Sequence, residues 1–256
     1  NKNQYIHDVS TFLGMLPLPQ LRGIALVVYI VRWMTVLMGS VVVWLTYCIG
    51  LRVFPERPSL ALGGAAMVAL NPQFLYLSGA VNNDVPAAMW GGAALLVCLQ
   101  VAQGGLSRRR SFTLGLLFGL GVLTKIHVIV LLAPIQLALA AAARQDGGWR
   151  GFLEANIEVL GSAALVAGWW FVRNQVLYGD PLGVSAHSEL WNSRSPLEGL
   201  WALRQDLPYL WSSLWGRFGY GQVVMPRVVY RGVLAFSVIG LVGHLLPGER
   251  ALKPLT

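Results

Sequence analysis

The sequence predicts an all-α bundle of membrane-spanning helices, about seven of them, and three observations carry that prediction. Hydrophobic residues make up 55% of the chain and charged residues only 12%, about half the charged share of a soluble domain. The mean hydropathy is strongly positive, +0.59. The basic residues fall in short clusters between apolar runs, as the positive-inside rule describes for a multi-span membrane protein. The net charge of +8 therefore speaks of topology and not of nucleic acid.

Asn1 to Gln20 is polar and then proline-bearing (Pro17, Pro19), which predicts a loop. Leu21 to Val31 is apolar but short, bounded by Arg22 and Arg32, and is expected to lie along the membrane surface as an interfacial helix. Arg32 then anchors the turn into a first span, Trp33 to Leu51. The chain begins without an initiator methionine or a signal-like segment and stops soon after an apolar run. It is expected to be an internal piece of a longer protein, with residues 1–32 closing a first outer loop.

A short basic turn, Arg52 to Ser59, leads to a second span from Leu60 to Ser78 and a third from Val85 to Gln103, each near the ~20 residues a crossing needs. Gly104 to Ser111 holds Arg108, Arg109 and Arg110 and is the most basic short loop. Between it and Arg144 the sequence admits one long helix or two short ones. Two helices, Phe112–Thr124 and Val128–Ala143, keep both arginine loops on one side and spare Lys125 a place in hydrocarbon, so they are preferred. Gly115 and Gly119, spaced small-xxx-small, suit close helix packing.

Ile157 to Val172 forms a sixth span ending in the aromatic group Trp169, Trp170 and Phe171. Residues 33–173 thus make a six-span bundle. Residues 174–227 make a large outer loop rich in Trp and Tyr, and residues 228–256 supply a final span (Val228 to Leu246) and a tail. Cys48 and Cys98 lie in apolar helices, where packing is the simplest use of a thiol.

Seven crossings collect Arg52/Arg57, Arg108–Arg110, Arg144/Arg150 and Arg250/Lys253 on the cytoplasmic side. The turn Asn82-Asn83-Asp84, Lys125 with His127, and Arg173 meet on the opposite face. Only Lys2, Lys125 and Lys253 are lysine, so a lysine between two spans needs a reason. Cations beside a carboxylate at a membrane surface suit a lipid-linked phosphate. The cations neutralise the phosphate as it leaves, and the carboxylate takes a proton from the acceptor or holds a divalent metal.

Four stretches now resemble a known family. Ala69-Leu-Asn-Pro-Gln-Phe-Leu-Tyr-Leu-Ser-Gly-Ala-Val-Asn-Asn-Asp84 is similar to the second outer loop of polyprenyl-phosphate-sugar-dependent glycosyltransferases of the GT-C fold. More narrowly, it resembles bacterial relatives of the family 39 mannosyltransferases and the lipid A aminoarabinose transferase. Leu123-Thr124-Lys125, the run Trp169 to Asn174 followed by Leu177 to Gly183, and Ser213-Leu-Trp-Gly-Arg-Phe-Gly219 are similar to further segments of such proteins.

The resemblance implies inverting sugar transfer from a polyprenyl-phosphate donor to an extracytoplasmic glycan, lipid or protein acceptor, in a cell inner or plasma membrane. It makes Asp84 the second acidic position, as metal ligand or acceptor-positioning group, with the main base upstream of Asn1. The fragment alone is then expected to be inactive. Lys125, Arg173 and Arg32 become candidates for the donor phosphate. Asn82, Asn83, His127, Asn174, Tyr178, Asp180 and His7 are supporting residues, with Asp180 better suited to capping its Gly-Asp-Pro turn than to chemistry. The family's acidic pair in the first outer loop has no counterpart here; Asp8 stands alone beside His7. A carrier or flippase for lipid-linked saccharides, and a non-catalytic scaffold, are the alternatives from other classes.

Overall fold

The computed structural model describes residues 23–145, 147–183, 185, 195–219 and 221–245. The expectations placed on His7, on the loop before residue 23 and on the tail after residue 245 lie outside them.

Helix α1 (Ile24–Val53) runs unbroken for 30 residues, about 45 Å at ~1.5 Å per residue. The expected turn at Arg32, between an interfacial helix and a span, does not form. Nothing from Val28 to Val36 is proline or glycine, and arginine is itself a good helix former. Thr35, Ser40 and Thr46 return their hydroxyls to the carbonyls of Val31, Val36 and Val42, which spares them an unpaired donor in an apolar setting. Only 11% of the apolar window of α1 is buried, so Val27, Leu37 and Trp44 face outward, as lipid-facing residues do.

The expected second span is two helices, α2 (Pro58–Ala69) and α3 (Pro72–Ser78), bent by 62°. Pro72 is the cause: it excludes the α conformation from Asn71, which is extended at ψ 118°, and opens the next helix at its first position. Helix α4 (Asp84–Gly104) follows the expected third span closely.

Helix α5 (Arg108–Thr124) stops at Lys125, a 3-10 helix covers Ile126–Leu131, and α6 (Leu132–Gln145) continues, so the two-helix reading holds. Pro134 in the first turn of α6 clashes with the carbonyl four residues earlier, and the β-branched run of Ile126, Val128, Ile129 and Val130 weakens the helix before it.

Helix α7 (Gly148–Tyr178) extends the expected sixth span at both ends. The stretch foreseen as a large loop holds helix α8 (Pro196–Gly216), opened by a Ser195/Glu198 capping box. After it come two-residue strands β1 (Arg217–Phe218) and β2 (Val223–Val224), paired antiparallel, and then α9 (Arg227–Leu245).

Among the described residues four helices are long and apolar enough to cross a membrane: Leu26–Val53, Asp84–Gly104, Ile126–Gln145 and Gly148–Tyr178. The bent α2–α3 pair would make a fifth. The expected seven is not reached: α5, which is 17 residues long and opens on three arginines, and α9 fall outside that set.

The core lies where α4, α5, α6 and α7 meet, around the fully buried Val101, Leu114, Ile135, Leu139 and Val159. Gly115 and Gly119 let α5 lie directly on the backbone of α7, where a Cβ on Gly119 would stand 2.9 Å from the Ala163 carbonyl oxygen. At the far end of α5 from Lys125, basic groups tie α5 to α4 and α7. Arg110 donates to the Gly104 carbonyl at 2.6 Å, and Arg108 pairs with Glu158 of α7 at 3.3 Å.

Candidate functional site

The site grows from the corner between α3 and α4. The Asn82 side chain closes it. Its Nδ2 donates to the carbonyls of Leu77 (2.7 Å) and Ala80 (3.3 Å). Its Oδ1 accepts from the backbone N–H groups of Asp84 (2.8 Å) and Val85 (3.3 Å). One amide thus ends α3 and caps α4, satisfying donors that a helix start leaves open. Asn83 turns the other way and donates to the Thr124 carbonyl, at the end of α5. Asn82 thus fixes the backbone of Asp84, and Asn83 ties the residue before it to the end of α5.

Asp84 stands in the first turn of α4, where the helix dipole favours a negative charge. Its Oδ1 accepts a hydrogen bond from Lys125 Nζ. Lys125 lies between α5 and the 3-10 helix in extended conformation (φ −155°, ψ 121°). Its backbone N–H donates to the Gly121 carbonyl, while its own carbonyl accepts from Val128, so the break is hydrogen-bonded and the ammonium is set at the end of the helix. The side chains are 42% (Asp84) and 32% (Lys125) exposed. An ion pair this open to its surroundings is worth about 1 kcal/mol or less.

A divalent metal would need more than this corner supplies. Asp84 offers one carboxylate, one of whose oxygens already accepts from an ammonium, and no group of three His, Cys, Asp or Glu able to hold a metal occurs among the described residues. Among the described residues the corner presents a paired carboxylate and no three-residue set of metal ligands.

The other candidates lie on α1, the 3-10 helix, α7 and the turn after it. Arg32 sits partly buried in α1, its Nε buried without a hydrogen-bond partner. Arg173 is exposed near the end of α7, lies 5.1 Å over the Trp170 ring and donates to Asn174 at 3.4 Å. Asn174 is buried and donates in turn to the Pro181 carbonyl. Asp180 accepts from the backbone N–H groups of Leu182 (2.9 Å) and Ser185 (2.7 Å), the behaviour of a turn former. Tyr178 and His127 are exposed. No hydrogen bond or ion pair joins Arg32, Arg173 or Tyr178 to Asp84 or Lys125 among the described residues.

Sequence reasoning missed the clamp behind the corner. Asn71 caps α3 by accepting from Phe74 N–H and donates to the Leu214 carbonyl at 3.0 Å. Gln73 accepts from Arg217 N–H at 2.8 Å, and the Tyr76 hydroxyl accepts from Gly219 N–H at 3.2 Å. Tyr76 and Phe218 meet edge to face, with ring centroids 5.3 Å apart. Arg217 is itself fixed by bonds to Ser212 and the Gly221 carbonyl, with its guanidinium 4.3 Å over Tyr209. Two of the stretches that carry the resemblance therefore touch each other, so Asn71, Gln73, Tyr76 and Arg217 belong to the support of the site. The Asn-Pro step at 71–72 was the available signal for the bend; nothing in the sequence pairs it with Leu214.

Residues 26–170 match the protein family described as dolichyl-phosphate-mannose-protein mannosyltransferase. The match takes in Arg32, the Asn82–Asp84 corner, Lys125 and His127, and it stops before Arg173. No curated protein and no solved structure matches the chain. Together with the apolar helices, the match indicates a membrane protein.

Proposed function

The chain belongs to the dolichyl-phosphate-mannose-protein mannosyltransferase family, a GT-C type of membrane glycosyltransferase. From this premise we propose that it moves a sugar from a polyprenyl-phosphate donor to an extracytoplasmic acceptor, with inversion at the anomeric carbon. The acceptor oxygen or nitrogen attacks the anomeric carbon. The bond from that carbon to the phosphate oxygen breaks, and its electron pair leaves on the phosphate. The proton lost by the acceptor goes to a carboxylate.

Lys125 is the cation that answers the growing phosphate charge. An ammonium is a compact point charge with three donors on a flexible stem, and it can follow an oxygen as charge develops there. Arg173 and Arg32 serve as further phosphate contacts. Asp84 positions the acceptor or receives its proton, held by Asn82 and Asn83. Asn174 and Asp180 keep the turn after α7 in shape, with His127 and Tyr178 at the margin.

The face is extracytoplasmic, in a cell inner or plasma membrane. The placement of Arg108–Arg110 and Lys125 at opposite ends of α5 supports this, since 17 helical residues separate them by about 25 Å and the basic end is the one retained in the cytoplasm.

The observation that carries the reading is the meeting of Asp84 and Lys125 at one helix corner within the family match. The test is transfer of radiolabelled sugar from a panel of polyprenyl-phosphate sugars to endogenous acceptor in vesicles carrying the protein in its full cellular form. Asp84→Asn should lower turnover by about two orders of magnitude, the scale of a lost proton-handling group. Wild-type turnover from a folded Asp84→Asn protein would return Asp84 to the role of helix-end residue.

A further inference from the structure

We propose that Lys125 changes partner when the donor binds: its ammonium masks Asp84 at rest and leaves for the lipid phosphate, which frees the carboxylate for the acceptor. The proposal rests on the glycosyl-transfer reading above and specifies the order of events within it.

Four features of the corner permit the exchange. The Asp84–Lys125 pair is partly open to its surroundings on both sides, so little holds it closed. A phosphate oxygen offers the ammonium a charge-assisted bond of the same kind as the carboxylate does, and its charge grows as the sugar leaves. Lys125 is extended and outside both neighbouring helices, so its four-carbon stem can swing without unwinding either one. The backbones stay together meanwhile, because Asn83 Nδ2 still donates to the Thr124 carbonyl and Asn82 still holds the Asp84 and Val85 N–H groups.

The exchange has a chemical result. A carboxylate oxygen that accepts from an ammonium is occupied, whereas one released by it is open to the O–H or N–H of the acceptor. The base is thus exposed only when the leaving group is in place, and the donor binds before the acceptor is activated. No covalent step is added: a hydrogen-bonded cation moves from one anion to another.

This predicts opposite effects on donor binding from the two partners of the pair. Farnesyl phosphate, with farnesol as the uncharged control, is titrated into the detergent-solubilised chain by calorimetry. The wild type should prefer the phosphate to the alcohol. Lys125→Met should lose that preference by tenfold or more. Asp84→Asn, freed of the internal competitor, should bind farnesyl phosphate about fivefold tighter, which corresponds to about 1 kcal/mol, and the double variant should bind like Lys125→Met. Should Asp84→Asn not fold, Asp84→Ser removes the same charge and keeps an acceptor at the helix start.

Unchanged or weaker binding by a folded Asp84→Asn or Asp84→Ser, with Lys125→Met still impaired, overturns the exchange and leaves the phosphate reading standing. A wild type that binds phosphate and alcohol equally well overturns the phosphate reading, and the exchange with it.

Discussion

Asn83 donates from Nδ2 to the Thr124 carbonyl at 3.2 Å, one residue before Asp84 on one strand of chain and one before Lys125 on the other. Two cross-links therefore lie side by side at the α4–α5 corner, one neutral and one charged. The neutral one ties backbone to backbone through a short amide, and the charged one ends on a flexible stem. Their removal should have different consequences.

Lys125→Met keeps length and apolar stem and loses only the charge. With the Asn83 bond intact, the melting temperature should stay close to wild type while sugar transfer falls. The loss should appear in kcat if the phosphate contact tightens in the transition state and in donor KM if it is uniform. Lys125→Arg should restore part of the activity, because a planar guanidinium places its charge differently. Unaltered donor kinetics with impaired expression would make Lys125 an anchoring residue.

Topology can be read by labelling. In intact cells a cysteine at position 83 should react with an impermeant maleimide, and one at position 109 should react only after permeabilisation. Reaction at 109 in intact cells would invert the proposed faces.

The seam between α5 and α7 gives a stability prediction. A methyl group on Gly115 would overlap the Ser162 hydroxyl and the Val159 carbonyl, and overpacking of this kind costs about 1–3 kcal/mol. Gly115→Ala should lower the melting temperature. Gly161→Ala, where a Cβ meets nothing within 4 Å, should match wild type or exceed it, as alanine does for glycine in a helix. Equal melting temperatures for the two variants would show that the seam gives way.

Asn71 does two things that two substitutions separate. Asn71→Asp keeps an oxygen to cap α3 and loses the donor to Leu214; Asn71→Ala loses both, the cap alone being worth about 1 kcal/mol. Hydrogen exchange at residues 217–224 should quicken in both variants, more so in Asn71→Ala. Unchanged exchange in Asn71→Asp would mean that the hairpin is held by Gln73 and Tyr76 alone.

The parts legible in the sequence are those with local causes. The stop at Lys125 follows from the cost of a buried ammonium and from the basic loops on either side, and Gly115 and Gly119 advertise their contact by spacing alone. Asn82 is legible as a prop of Asp84 because a short amide bonds to nearby backbone, whereas the reach of Asn83 to Thr124 is not. The pairing of Asp84 with Lys125 was not legible beyond their sharing a face, since it depends on how α4 lies against α5. The continuity of α1 is hidden by Arg32, which reads as a boundary in the sequence although a long side chain can remain in a helix and reach outward. The bend at Pro72 is invisible to hydropathy, which averages over an Asn-Pro step that the backbone cannot ignore.

The bonds from Asn71, Gln73 and Tyr76 to Leu214, Arg217 and Gly219 also set a timetable. Their partners lie about 140 positions later in the chain, and at 5–20 residues per second these are synthesised on the order of ten seconds or more after α3. Through that interval the polar side chains of α3 stand beside apolar helices with no native partner. The clamp behind the corner is thus completed well after the corner itself, whose partners all lie at or before Lys125.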